Sequence, residues 1–399
     1  MPGLEGRRVW FAGIGGAGLS AYAVLAKAWG AEVAGWDRVE TPYLRYVREA
    51  GIEVAVAPEP QEPPWGWEVV VSTAFAGTLA GRTRADFLAE LVSLRRSIVV
   101  AGAHGKTTTA AMIAFCLARL GRDPAFLLGG EVPQLGGNAG TGGGWLVVEG
   151  DESDRTVASL RPEIAVVTNV DLDHHSTFRS RAEVEELFDE WLGHVPNVVL
   201  GDRLPPVELE LALPGEHNRR NAACAVAALE LADVARDDAA AALREFTGVG
   251  RRFERRGVAS GVLVVDDYAH NPEKVRAALA AARERASGRV LVAFQPHLFS
   301  RTRHLAWELA ATLAAADAVC VTDVYAAREQ PVDGVTGKLV VDALTRLRPG
   351  GVTGWTPSLE QAAAFLARRA RPGDLVLTVG AGDVDRVGTL VLESLSTPA

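Results

Sequence analysis

Residues 97–112 read SIVVAGAHGKTTTAAM: a β-branched run, a glycine-rich turn, then Lys106 and Thr107 opening an alanine-rich helical stretch. A strand, a glycine loop and a helix in that order gather backbone N–H groups at a helix start, where phosphate binds. A lysine there adds charge at the β and γ oxygens, and a Thr hydroxyl ligates magnesium. The segment predicts an ATP site. Its spacing is compressed, because only two residues separate Gly102 from Gly105 where the general phosphate loop has four. Lysine is also scarce in the chain, confined to Lys27, Lys106, Lys274 and Lys338, so one in this setting stands out.

The same alternation recurs outward from this segment. Residues 8–13 form an apolar run followed by a helical pattern over 17–29, and the runs 262–265, 290–294, 318–322 and 375–379 each end in a polar or glycine-rich turn. Strands alternating with helices predict parallel sheets covered by helices. At 399 residues and 48% hydrophobic content the chain can bury several cores. Three α/β domains are expected, cut at 1–96, 97–255 and 256–399. Residues 129–144 are rich in glycine without an apolar period, which predicts a mobile loop placed as a lid over the acidic motif that follows.

Composition excludes several classes. No apolar run reaches the roughly 20 residues of a membrane span, and residues 1–9 lack a signal-peptide core, so a soluble cytoplasmic protein is expected. A net charge of -9 argues against general nucleic-acid binding and means that any phosphate site must be built locally. Cys116, Cys224 and Cys320 are scattered among Ala, Leu and Val, as small buried residues rather than metal ligands or disulfides.

Three further motifs carry chemistry. Gly13, Gly15 and Gly18 have the G-x-G-x-x-G spacing after a strand and before a helix, and Asp37 ends the next strand-like run. These glycines let backbone approach a pyrophosphate while Asp37 accepts ribose hydroxyls, which alone would read as a nicotinamide site. Glu149, Asp151, Glu152 and Asp154 crowd the end of another apolar run, and such carboxylates repel unless a hard cation such as magnesium offsets them. Asp171, Asp173, His174 and His175 follow Val166 and Val167 closely. Ligands gather at the carboxyl ends of parallel strands, so three strands would bring Lys106, Glu149 and His174 to one edge.

Taken together the segments GIGGAGLS, AGAHGKTTT, EGDESD, TNVDLDH, GEHNRRNA, RRFE, DDYAHNP and FQPHLFSRT resemble the Mur ligases of peptidoglycan synthesis, in the family's order from the first domain into the last. The compressed loop before Lys106 is itself the family's form. The resemblance implies an N-terminal Rossmann-like domain for a UDP-sugar, a central P-loop ATPase-like domain with a mostly parallel sheet, and a C-terminal Rossmann-like domain on the amino-acid side. It implies an ATP-dependent amide ligase adding L-alanine to UDP-N-acetylmuramate through an acyl phosphate, with ATP and two magnesium ions as cofactors. Addition of another amino acid or of a preformed peptide is the alternative.

Carried over residue by residue, the resemblance implies that Gly13, Gly15, Gly16, Gly18, Asp37 and Ser72 hold the UDP-sugar. Gly102, Ala103, His104, Gly105, Lys106, Thr107, Thr108, His217, Asn218, Asn221, Arg252 and Asp267 would meet ATP, with Arg252 at the γ-phosphate. Thr107, Glu149 and His174 would ligate magnesium, and Tyr268, His270, His297 and Arg301 would form the amino-acid side. Lys106, Arg252, Asp267 and His174 would be the catalytic set. The sequence departs from the family at Asn271, where His is common, at Leu298 and Phe299, where Arg-Tyr is common, and at Ala103, where Thr precedes the loop His. A cation expected beside the amino acid is thereby missing. The chain is also short for the family, and with no lysine between Lys106 and Lys274 a carbamylated lysine cannot serve the central domain.

Two readings from other classes remain. An NAD-dependent dehydrogenase would use the N-terminal glycines and Asp37 but leave the Lys106 loop and both acidic clusters unexplained. A silent UDP-sugar-binding protein would have no use for the phosphate and metal residues.

Overall fold

The computed structural model describes residues 3–172, 177–327 and 329–396. The chain builds three sheets, and the reason is legible in the strands themselves. The central strands of the second sheet, 97–101, 146–149 and 164–167, read as nearly continuous apolar runs, as strands buried on both faces do; every residue of Ser97–Ala101 is buried.

The first sheet contains β1 (Arg8–Ala12), β2 (Glu32–Asp37), β3 (Glu53–Val56), β4 (Glu68–Val71) and β5 (Arg82–Thr83), ordered β3-β2-β1-β4-β5 with all pairs parallel. The second contains β6 (Ser97–Ala101), β7 (Ala125–Val132), β8 (Gly137–Thr141), β9 (Leu146–Glu149), β10 (Ile164–Val167) and β11 (Asn197–Leu200), ordered β11-β10-β6-β9-β7-β8. Only β7 and β8 pair antiparallel there. The third contains β12 (Glu254–Ala259), β13 (Val262–Asp267), β14 (Val290–Phe294), β15 (Ala318–Val321), β16 (Val352–Trp355) and β17 (Leu375–Val379). Its order is β12-β13-β17-β14-β15-β16, parallel except for β12 against β13.

The chain forms two compact units. Met1–Ala212 with Asn218–Thr247 make the first, which holds the first two sheets, and Leu213–His217 with Gly248–Ala399 make the second. In the first unit one apolar cluster joins both sheets, running from Phe11, Leu25 and Phe87 to Val99, Val148 and Trp191. The third sheet is packed on both faces, one around Val292, Phe294 and Leu377 and the other around Leu291, Ala293 and Val376. Alternate residues of β14 thus serve opposite cores, as a two-sided strand requires. Among the described residues no helix is long and apolar enough to cross a membrane. Cys116, Cys224 and Cys320 are buried free thiols, pushed by burial up to about 12, 11 and 12.

The structure corrects the expectation of a lid. Residues 129–144 are no lid; most of them belong to β7, a short 3-10 turn (Pro133–Leu135) and β8 at the edge of the second sheet. The glycines there serve close approach. A Cβ on Gly140 would lie 2.2 Å from the Phe126 ring, and one on Gly142 would lie 2.2 Å from the carbonyl of Asp123. Phe126 is itself buried. Glycine density alone does not separate a flexible segment from a tightly packed one. Gly140→Ala should therefore lower unfolding stability by about 1 to 3 kcal/mol, the usual range for overpacking. An unchanged denaturant midpoint for the variant would contradict this packing.

Candidate active site

The first glycine loop leaves β1 where the sheet order reverses, between β1 and β4, the place where open α/β sheets bind ligands. Gly13 is left-handed at φ +85°, and a Cβ on it would lie 2.5 Å from Ser72 Oγ at the end of β4. The buried Asp37 carboxylate accepts the Gly15 N–H at 2.7 Å, and Thr41 donates its hydroxyl to Gly15 O at 2.8 Å. Asp37 therefore fixes the loop. Gly18, in the first helix, faces Arg84, whose Nη1 would be 3.0 Å from an added Cβ. Arg84 in turn lies 3.6 Å from Asp154 of the acidic motif.

The second loop leaves β6, flanked by β9 and β10. Gly102 and Gly105 are both left-handed, at φ +124° and +81°, which L side chains rarely adopt. Space is equally restrictive, since a Cβ on Gly102 would meet Thr168 Oγ1 at 2.4 Å and one on Gly105 would meet Asn221 Oδ1 at 2.2 Å. Asn169 then ties the loop at three points: its side chain accepts from His104 N–H at 2.9 Å and donates to His104 O at 2.9 Å, and its carbonyl accepts from Ala103 N–H at 3.2 Å. Thr168 adds its hydroxyl to His104 O at 2.6 Å.

Gly105 precedes the helix Lys106–Arg119, which is buried almost all round. Lys106 Nζ donates to Gly102 O at 2.6 Å and to both oxygens of Glu152 at 2.8 and 3.0 Å. The Glu152 side chain is 3% exposed, so the pair is desolvated and well bonded. Thr107 Oγ1 donates to Glu149 Oε1 at 3.0 Å, and Glu149 Oε2 accepts the Gly129 N–H at 2.8 Å. Asn218 and Asn221 are buried on the helix Glu216–Leu231. His174, with Asp173 and His175, lies outside the described residues.

Reading the sequence missed Thr168 and Asn169, and grouped Glu152 with the metal-seeking carboxylates although it pairs with Lys106. The signal for Asn169 was its place directly after a buried strand next to the loop strand. The departure at Asn271 also has a local cause: its Oδ1 accepts Lys274 N–H at 2.9 Å, capping the helix Pro272–Arg285.

In the second unit the residues gather at the carboxyl ends of β13, β14 and β17. Asp267 accepts N–H bonds from Phe253 and Ala269, each at 2.8 Å. Arg251 and Arg252 lie over the Tyr268 ring at 5.2 and 5.3 Å. Tyr268 meets His270 edge-on at 5.6 Å, His270 meets His297 at 5.7 Å, and Arg301 Nη1 is 3.2 Å from His297 Nδ1. Burial lowers His270 to about 3, and burial with Arg301 lowers His297, so both imidazoles are neutral near pH 7. Leu298 is left-handed at φ +70° before the helix Phe299–Leu313. His217 belongs to the same unit, at the start of the helix Glu216–Leu231.

Three α/β sheets, one ending in a lysine-bearing glycine loop beside a Thr–Glu pair, define a nucleotide-binding enzyme of the phosphate-loop type. Family profiles match along the chain: "Mur ligase family, catalytic domain" over residues 8–95, "Mur ligase middle domain" over 100–200 and "Mur ligase, glutamate ligase domain" over 251–382. The chain belongs to the Mur ligase family.

It is 41% identical to a UDP-N-acetylmuramate--L-alanine ligase of Renibacterium salmoninarum, over 98% of this chain and 97% of that one. A Kineococcus radiotolerans protein of the same name is also 41% identical, over 98% and 96%. The first alignment spans 456 positions, more than the 399 residues here, so the relative carries insertions. Among solved structures, the Thermotoga maritima UDP-N-acetylmuramate-alanine ligase MurC superposes with a TM-score of 0.79 at 26% identity, covering 97% of this chain and 98% of that one.

Burial pushes the Asp267 carboxyl up to about 6, against the pull of Arg252 and the two N–H bonds, so the folded chain holds this proton to higher pH than the unfolded chain does. The sign follows directly: this group contributes stability in acid, lost as pH rises through about 6. The Asp267 carboxyl carbon should titrate by NMR with a midpoint near 6, moving upward in Arg252→Ala. A midpoint of about 4, the ordinary carboxylate value, would contradict the desolvated setting.

Proposed function

We propose that this chain ligates L-alanine to UDP-N-acetylmuramate at the expense of ATP, in peptidoglycan precursor synthesis in the cytoplasm. The observation that carries it is the Lys106 loop, with its ammonium at the loop mouth and the Thr107 hydroxyl 3.0 Å from Glu149, in a chain 41% identical over nearly its whole length to proteins named for that reaction. Its partners are small molecules: the UDP-sugar, the amino acid and ATP.

A carboxylate is a poor electrophile, and ATP activates it. The γ-phosphoryl group passes to a carboxylate oxygen of the sugar, releasing ADP. The neutral amine then attacks the acyl carbon, gives up a proton and expels phosphate. Lys106 and Arg252 are the fixed cations that spread charge over the transferring oxygens, a role worth roughly 10³-fold or more for one arginine. Asn218, Asn221, His217 and Asp267 are assigned to the nucleotide. The oxygens of Thr107, in the first turn of the helix Lys106–Arg119, and of Glu149, at the end of β9, lie side by side and fit a hard cation; magnesium there would supply charge neutralisation, with His174 as the further assigned ligand.

Gly13, Gly15, Gly16, Gly18 and Ser72 are assigned to the pyrophosphate of the UDP-sugar. Asp37 acts there through the Gly15 N–H that it holds. The amino acid is assigned to Tyr268, His270, His297 and Arg301. Since Leu298 offers no charge, Arg301 or a nearby arginine such as Arg303 is left to receive the carboxylate, and the place of Arg301 beside His297 favours Arg301.

The direct test is phosphate release from MgATP with UDP-N-acetylmuramate and each of the twenty amino acids in turn; release that does not depend on L-alanine rejects the proposal. Arg301→Ala should raise the L-alanine KM about ten- to a hundredfold, the worth of a charge-assisted hydrogen bond, while Leu298→Arg lowers it. An unchanged KM in Arg301→Ala would remove that residue from the site, and a wild-type preference for leucine would mean a larger, more apolar substrate.

A further inference from the structure

Tyr325 stands four residues beyond the end of β15, and its place is fixed from three sides. Its backbone N–H donates to Pro296 O at 2.8 Å and its carbonyl accepts from Leu298 N–H at 3.0 Å, which makes an isolated parallel bridge with His297. Its ring stacks on the His297 imidazole, with centroids 6.0 Å apart and planes 14° from parallel. On Gly382 an added Cβ would lie 2.5 Å from the Tyr325 ring, so the ring leans on bare backbone.

That backbone is itself clamped. Arg251 Nη1 donates to Gly382 O at 2.6 Å, Nη2 to Gly380 O at 2.8 Å, and Nε to the fully buried Asp266 at 3.0 Å. Arg251 pays for this with a left-handed backbone at φ +58°, a conformation that persists only where surroundings over-determine it. Contacts therefore run without a break from Asp266 through Arg251 and Gly382 to Tyr325, then to His297 and Arg301. The planar fork of Arg251 meets acceptors on Asp266, Gly380 and Gly382 in one fixed geometry, which the point charge of a lysine would not reproduce.

We propose that Tyr325 is a positioning residue of the amino-acid site: it fixes the plane of His297, and through it the guanidinium of Arg301, for an incoming α-amino acid. The inference rests on the assignment of His297 and Arg301 to the amino-acid side. An imidazole pinned on one face by a ring and held at Nδ1 by Arg301 loses its rotational freedom before the substrate arrives, so binding need not supply that ordering. The ring is what matters, since the stack uses the face of Tyr325 and not its hydroxyl.

The experiment compares steady-state kinetics of wild type, Tyr325→Phe, Tyr325→Ala and Tyr325→Ala with Arg301→Ala, using the amino acid that the wild type ligates. Tyr325→Ala should raise the amino-acid KM about three- to tenfold, the worth of one aromatic pair, with KM for ATP and for the UDP-sugar unchanged. Tyr325→Phe should behave as wild type. The double variant should be no worse than Arg301→Ala alone, because the tyrosine acts through that residue. In parallel, the His297 imidazole, held low by burial and Arg301 against a smaller upward pull from Glu329, should titrate higher by NMR in Tyr325→Ala and unchanged in Tyr325→Phe. An unchanged amino-acid KM in Tyr325→Ala, additive losses in the double variant, or a phenylalanine variant as poor as alanine would overturn the proposal. A wrong substrate assignment appears in the wild type, and a wrong role for Tyr325 only in the variants.

Discussion

The Lys106 ammonium, held between the carbonyl of Gly102 and the buried carboxylate of Glu152, is the interaction on which the site depends. It closes the glycine loop upon itself, since Gly102 begins the loop and Lys106 begins the helix. A buried carboxylate with no cation would be costly, and removing one member of such a pair is far more damaging than never having it. Phosphate oxygens arriving at this loop would compete with Glu152 for one ammonium. The same charge that holds the loop together is therefore available to a nucleotide.

The same arrangement occurs in all three sheets. Each is mainly parallel, and in each the candidate residues stand at or just beyond the carboxyl ends of neighbouring central strands: Gly13 with Ser72, the Lys106 loop with Glu149 and Asn169, and Asp267 with His297 and Gly380. Side chains from neighbouring strand ends thus meet the loop between them. Asn169 makes this plain. It turns one neighbouring strand's end into a template for the loop backbone of another.

Much of this was legible in the sequence because strands buried on both faces are written as unbroken apolar runs. The helix opens at Lys106, where the motif put it, and the run read as 262–265 continues to Asp267. The glycine loop through Gly102 and Gly105 was legible as well, and both residues have positive φ. What the sequence concealed was pairing. Nothing in the order of residues says that Glu152 faces Lys106 while Glu149 faces Thr107, or that Asp37 spends its carboxylate on Gly15 N–H. The glycines of 129–144 misled for a related reason: their small size is demanded by Phe126 and Asp123, which are neighbours in space that periodicity cannot show.

If the Lys106 loop is the phosphate site, nucleotide binding there is independent of the site at the first glycine loop. Calorimetric titration of wild type and Lys106→Ala with MgATP and, separately, with UDP-N-acetylmuramate tests it most directly. The variant should lose at least about tenfold in ATP affinity, as expected for one charged phosphate contact, while binding the UDP-sugar as the wild type does. Equal ATP affinity in the two proteins, or an equal loss for both ligands, would contradict it.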